Sequence, residues 1–198
     1  MSKVALGTRT VFANLAYIRI TPWVKEEDTL RPGDATYDVT DVVADTTTVE
    51  QAENEANTLE HEFSSSPLYE NIQVGDKTFA CESIDLQNEV LKGLFGWKEI
   101  KGEGETVIGM AAPVTYEELY ALIELGFNST KDIVVLPKVL LNSRAVIASM
   151  KTDASRANIN GTCYPAMVGD QETDMAIIKD GRKDDDGASV IAMVSEKE

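Results

Sequence analysis

Histidine occurs once in this 198-residue chain, at His61, and cysteine twice, at Cys81 and Cys163. Any Ser-His-Asp or Cys-His nucleophile would have to use that one imidazole. It stands between Glu60 and Glu62 in a strand-like run, a poor setting for a catalytic base, and reads as a solvent-facing strand residue. Two cysteines far apart in sequence make neither a disulfide framework nor a zinc pattern, so synthesis in a reducing cytoplasm is expected, with Cys81 buried and inert. No apolar run approaches the length of a membrane span, and Lys3–Gly7 is too short an apolar start for a signal peptide. The nucleophile elbow, the P-loop, the zinc-protease helix and the dinucleotide fingerprint are all missing. Asp184–Gly187 resembles part of a calcium loop, but that register puts Arg182 first and Met193 twelfth, removing two oxygen ligands. The residues offer no enzyme, no cofactor and no metal site.

Bases are scarce as well. The formal net charge is −16, with 18 Lys and Arg against 34 Asp and Glu. A protein that grips phosphates carries basic patches, so holding DNA by ion pairing is excluded. Between Arg31 and Lys77 there is no Lys or Arg at all, while eleven acids fall there: Asp34, Asp38, Asp41, Asp45, Glu50, Glu53, Glu55, Glu60, Glu62, Glu70 and Asp76. Two accounts fit. One is a solvated face that keeps an extended hairpin soluble and its edges unpaired. The other is a surface of one sign, arranged to repel something anionic.

What is present is a globular chain, 43% hydrophobic and 26% charged, long enough for a sizeable core. Lys77–Trp97 predicts a strand over Thr78–Glu82 and then a helix. Leu86, Val90 and Leu94, with Leu91 and Phe95 beside them, make one apolar stripe of helical period. Ser83 or Asp85 is the expected N-cap, Gly96 the left-handed C-cap, and Lys92 suits the last turn. Residues 1–20 read as one or two strands that Trp23 and Val24 continue. Residues 25–36 read as a loop around Pro32 and Gly33. Thr36–Ala52 and Asn57–Phe63 read as the two strands of a hairpin with its tip at Glu53–Ala56. Gly102–Glu105 marks a turn. In Thr115–Leu125 a capping-box pattern favours helix, whereas hairpin pairing with Asp132–Leu141 favours strand, and strand is chosen. Ser143–Met150 and Ala157–Met167 add strands, with a turn or bulge at Asn160-Gly161. Met175–Lys179 and Ala188–Val194 are expected to close as a hairpin. The expected class is mainly β (α+β): a two-sheet β-sandwich or barrel with one flanking helix, in a single domain 1–198 whose extended hairpin arm covers about 41–63.

The succession of features resembles the major tail, or tail tube, proteins of long-tailed bacteriophages and prophages. Thr47-Thr48-Val49-Glu50 leads to a Glu-His-Glu-Phe strand, a Ser66-Pro67 turn and Gly75-Asp76-Lys77-Thr78-Phe79. Then come a helix ending Leu94-Phe95-Gly96 and a hairpin with Val135-Leu136-Pro137-Lys138 in its second strand. The resemblance covers roughly residues 40–168; the first 35 residues match nothing in it. It implies a virion protein made in the host cytoplasm, whose six copies close into rings that stack as a tube beside other tail proteins. DNA passes through the tube without specific binding. It also implies that the arm reaches the neighbouring ring, with Val49, Glu50, Gln51, Glu53, Glu55, Leu59, His61 and Phe63 at the contact between subunits. Asp45, Glu50, Glu60 and Glu62 are the candidate channel-facing acids, since a negative lining denies phosphates the counter-charges they would bind.

Two other classes stay open. A tail terminator or neck component would share such a fold. A secreted sandwich that binds a ligand would carry a signal segment and exposed aromatic residues, whereas Trp23 and Trp97 read as packing residues.

Overall fold

In the computed structural model of this chain the described residues are 12, 14–26, 29–39, 41–61, 64–84, 86–102, 104, 106–115, 117–147, 155–179 and 188–196. In chain order they form β1 (Leu15–Glu26), β2 (Thr29–Pro32), β3 (Tyr37–Val39), β4 (Thr48–Gln51), β5 (Glu55–His61), β6 (Ser64–Gln73) and β7 (Lys77–Ser83). Helix α1 (Asn88–Phe95) follows, then β8 (Lys98–Lys101), β9 (Val107–Ala111), β10 (Leu119–Phe127), β11 (Ile133–Leu141) and β12 (Arg144–Val146). The remainder is β13 (Arg156–Tyr164), β14 (Ala166–Val168), β15 (Gln171–Thr173), β16 (Ala176–Ile178), a single turn α2 (Ala188–Ile191) and β17 (Val194–Ser195). The class is mainly antiparallel β with one full helix, consistent with a β-sandwich flanked by a helix. The chain forms two compact units: Met1–Thr40 with Tyr120–Lys138 and Pro165–Glu198, and Asp41–Leu119 with Val139–Tyr164.

The first unit is built on β1. One edge pairs with β10, from Ile18↔Leu125 to Pro22↔Ala121. The other edge takes β2 beyond Trp23 and β3 along Ile18–Ile20, with Gly33 N–H donating to Pro22 O between them at 2.8 Å. Residues 29–39 are therefore mostly the second arm of a hairpin, not the expected loop. Pro32 survives there because it sits at the end of β2, where its missing N–H interrupts no inner ladder. β10 is indeed a strand, and it is buried at every position from Ala121 to Gly126. Burial on both faces erases the polar alternation that normally marks a strand, which is why its sequence also fits a helix. β11 follows β10, and β16 pairs with its start at Ile133↔Ile178. Trp23, Leu122, Ile133, Val135, Ala166, Val190 and Val194 close one core. At its rim the Lys138 ammonium lies 5.3 Å from the Trp23 ring and 4.9 Å from the Tyr120 ring, and Glu196 takes it at 2.7 Å. The segment after β16 is no closing hairpin: α2 forms at Ala188–Ile191, and β17 pairs with β14, not with β16.

In the second unit β13 pairs with β7, from Ala157↔Ser83 to Thr162↔Thr78, and β7 pairs with β4. Val139–Leu141 of β11 and the short strand β12 lie beside β13. Phe79, Cys81 and Ser83 alternate inward on β7, as do Ala157, Ile159 and Cys163 on β13. Asn160-Gly161 is neither turn nor bulge but mid-strand: a methyl on Gly161 would lie 2.4 Å from Val139 Cγ1, so glycine is there to let two strands approach. Helix α1 buries Val90, Leu91, Leu94 and Phe95, and Gly96 caps it with φ 65°. At roughly 1.5–3 kcal/mol per fully buried large side chain, that stripe is a principal stabilising contact of this unit. The N-cap differs from expectation. Gln87 stands at the N-cap with extended backbone and no side-chain capping bond, Ser83 is a buried residue at the end of β7, and Asp85 lies outside the described residues. A capping oxygen serves the N–H groups of the first turn, and Ser83 ends its strand too early to reach them.

Candidate assembly surface

The expected strand Thr36–Ala52 is broken in two, because Asp41 and Asp45 adopt left-handed φ of 52° and 60°. Aspartate tolerates that conformation better than the neighbouring valines would. The stretch between β3 and β4 is fastened to β7: Val43 N–H donates to Glu82 O at 2.8 Å, Ile84 N–H to Asp41 O at 3.2 Å, and Glu82 N–H to Thr46 Oγ1 at 3.1 Å. β4 then pairs with β7, not with β5, and stands last in the strand order with no partner on its outer side among the described residues.

This pairing divides the proposed contact set. Val49 lies opposite Phe79 and is half-buried, so it packs on the sheet. Glu50, across from Thr78, and Gln51 are exposed on the edge strand. Glu53 and Glu55 are exposed where the chain leaves it. Asp45 is exposed at the turn before it. Glu62 and Phe63 lie outside the described residues, as do the side chains of Leu59, Glu60 and His61. The hairpin arm itself is β5–β6, from Glu55↔Gln73 to His61↔Ser64, so the expected tip at Glu53–Ala56 is its base instead. Ser66-Pro67 is not a turn: Pro67 stands opposite Glu60 where the register slips, a place where a missing N–H is tolerated. The base is narrow. Ala52 N–H donates to Asp76 O at 2.9 Å, and Asn54 Oδ1 accepts Gly75 N–H at 3.2 Å.

Asp41, Asp45, Glu50, Glu53 and Glu55 thus follow one another along the rim beside β7, with Asp76 just before that strand begins, all exposed. Such a rim resists anions and, through its open edge and projecting hairpin, offers backbone groups to another chain. The second hairpin, β8–β9, is also two-stranded and leaves Ile100, Val107 and Ile108 exposed.

One cluster escaped the sequence reading. In the first unit Asp38 of β3, Arg19 of β1 and Glu124 of β10 stand in register across three strands. Arg19 Nε donates to Asp38 Oδ1 at 2.9 Å, which raises the guanidinium pKa above its ordinary value. Glu124 is 1% exposed, its Oε1 has no hydrogen-bond partner, and burial pushes its carboxyl up to about 7 despite Arg19. The available signal was a single acid inside the apolar run Leu122–Leu125. Cys81 is buried, with its thiol pushed up to about 12 by burial and then by Glu82. Among the described residues no group of three or more His, Cys, Asp or Glu could hold a metal ion, and no helix is long and apolar enough to cross a membrane.

No family model matches the chain, and no curated protein matches it. Among solved structures it is similar to a chain in the cryo-EM structure of the anti-feeding prophage baseplate, 6-fold symmetrised. The two are 7% identical over 88% of this chain and 98% of that one, with a TM-score of 0.40.

Proposed function

We propose that this chain is a structural subunit of a bacteriophage or prophage tail, which self-assembles into stacked hexameric rings whose acidic channel passes DNA without binding it. The observation that carries this reading is the rim of exposed acids along and beside an open edge strand, after which the chain enters the β5–β6 hairpin. A two-stranded hairpin is marginal in water and gains by pairing with another chain. A negative surface releases no counterions to DNA, so phosphates slide past it. Asp45, Glu50, Glu60 and Glu62 are the acids assigned to the channel, and the hairpin takes the role of the arm between rings. Its partners are copies of itself and other tail proteins, it resides in the virion, and it performs no catalysis.

The experiment is the assembled fraction by sedimentation across a salt series, beside a duplex DNA gel shift. Salt shortens the reach of like-charge repulsion from about 30 Å at 0.01 M to about 8 Å at 0.15 M, so added salt should promote assembly while DNA stays unbound throughout. A second arm deletes residues 55–73, which the narrow base at Ala52, Asn54 and Gly75 allows to be rejoined. This variant should fold and remain monomeric. Tubes formed without the hairpin, assembly that weakens with salt, or tight DNA binding would each overturn the reading.

A further inference from the structure

Glu124 has no part in the assembly surface, yet it is a buried carboxyl with one oxygen unpaired. β3 is held to β1 by three residue pairs, Ile18↔Val39, Arg19↔Asp38 and Ile20↔Tyr37, and by the Arg19–Asp38 ion pair. Arg19 pairs in register with Glu124 on its other side. Among the described residues the charged groups that act on the Glu124 carboxyl are Arg19 and Asp38, with the Tyr17 ring 5.4 Å from the guanidinium; β11, the other neighbour of β10, is apolar from Ile133 to Leu136. A neutral carboxyl at this place forgoes a hydrogen bond. A carboxylate there is an uncompensated buried charge unless a cation turns toward it. Asp38, more than half exposed, can give up the guanidinium and take water in its place.

We propose that Glu124 is a proton-controlled latch on the edge strand β3. Protonated, it leaves Arg19 to Asp38, and β3 stays seated on β1. Ionised, it draws the guanidinium inward and frees β3, which bares the backbone of Ile18–Ile20 to a strand from another chain. The opposed effects of burial and of Arg19 place the transition near neutral pH.

The test is amide hydrogen exchange of Tyr37–Val39 in the full chain from pH 5 to 9, corrected for intrinsic rates, beside a carbon-13 titration of the Glu124 carboxyl. A carboxyl moved from 4.5 to about 7 bounds the change in opening at about 300-fold. Opening in the wild type should rise roughly 10- to 100-fold and follow the carboxyl titration. Glu124→Gln should hold β3 closed across the range. Asp38→Asn, which keeps Glu124, should leave β3 open even at pH 5. A flat wild-type profile, an unchanged pH dependence in Glu124→Gln, or full protection in Asp38→Asn at pH 5 overturns the latch. None of these outcomes depends on ring assembly.

Discussion

Gly161→Ala isolates the close approach of two strands in the second unit. The added methyl would lie 2.4 Å from Val139 Cγ1 and 2.7 Å from Leu140 O, both below the 3.0 Å that such contacts essentially never breach. Val139 could rotate away. The carbonyl oxygen of Leu140 belongs to the backbone and can yield only if β11 and β13 move apart. Forcing a methylene into packed structure costs about 1–3 kcal/mol, against which the loss of glycine's unfolded-state freedom returns about 0.4–1 kcal/mol. The net expectation is a loss of roughly 1–2 kcal/mol from these two effects. Gly109→Ala is the control. It too is a mid-strand glycine, but its methyl would meet only Ile100 Cδ1, at an ordinary 3.7 Å, so it should be neutral or stabilising by a few tenths of a kcal/mol. Urea unfolding of both variants at one pH, with the slopes compared for equality, reads the difference directly. Equal stabilities would refute the close approach and return Asn160-Gly161 to a turn.

Leu94→Ala on the buried stripe of α1 should lose about 2–5 kcal/mol, whereas Lys92→Ala, whose exposed ammonium pairs with Glu99 at 3.0 Å, should stay within about ±0.5 kcal/mol by the same urea assay. Glu124→Gln should remove a pH dependence. The folded carboxyl is raised from 4.5 to about 7, so its contribution is complete below pH 4.5 and is lost as pH rises through 7. The wild type should therefore lose about 3 kcal/mol relative to the variant between pH 4.5 and 8.5, and parallel profiles would show the carboxyl to be hydrated. Trp23→Phe removes the indole N–H that donates to Pro137 O at 3.0 Å in a buried place; the orphaned carbonyl should cost about 1–3 kcal/mol, read as a fall in thermal midpoint.

Periodicity located most elements in the sequence but not their partners. The stripe from Val90 to Phe95 names a helix because its signal is local. Thr48–Gln51 names a strand equally well, yet nothing in those four residues says that Lys77–Ala80 lies beside them. Nearest-neighbour hairpin logic joined them to Asn57–Phe63 instead, and so misplaced the arm. Pro32 and Pro67 read as breaks in the sequence although each sits at a strand end or a register slip where proline costs little. The acid-rich rim was legible because charge can be counted. The row Asp38–Arg19–Glu124 was not, since its members meet only once three strands from distant parts of the chain are aligned.

The pairing of β1 with β10 sets a timetable for synthesis. More than a hundred residues separate Leu15 from Phe127, its partner in the ladder. At about 5–20 residues per second the emerging β1 waits roughly 5–20 s with Ile18 and Ile20 in water. Nascent chains growing side by side on one message are then most exposed to sticking together. The next stretch to leave each ribosome is the one without a single Lys or Arg from Pro32 to Asp76. Its uncompensated negative charge repels the same stretch on the neighbouring ribosome, so the acids act as a solubilising leash on an unfinished strand before they serve any finished surface.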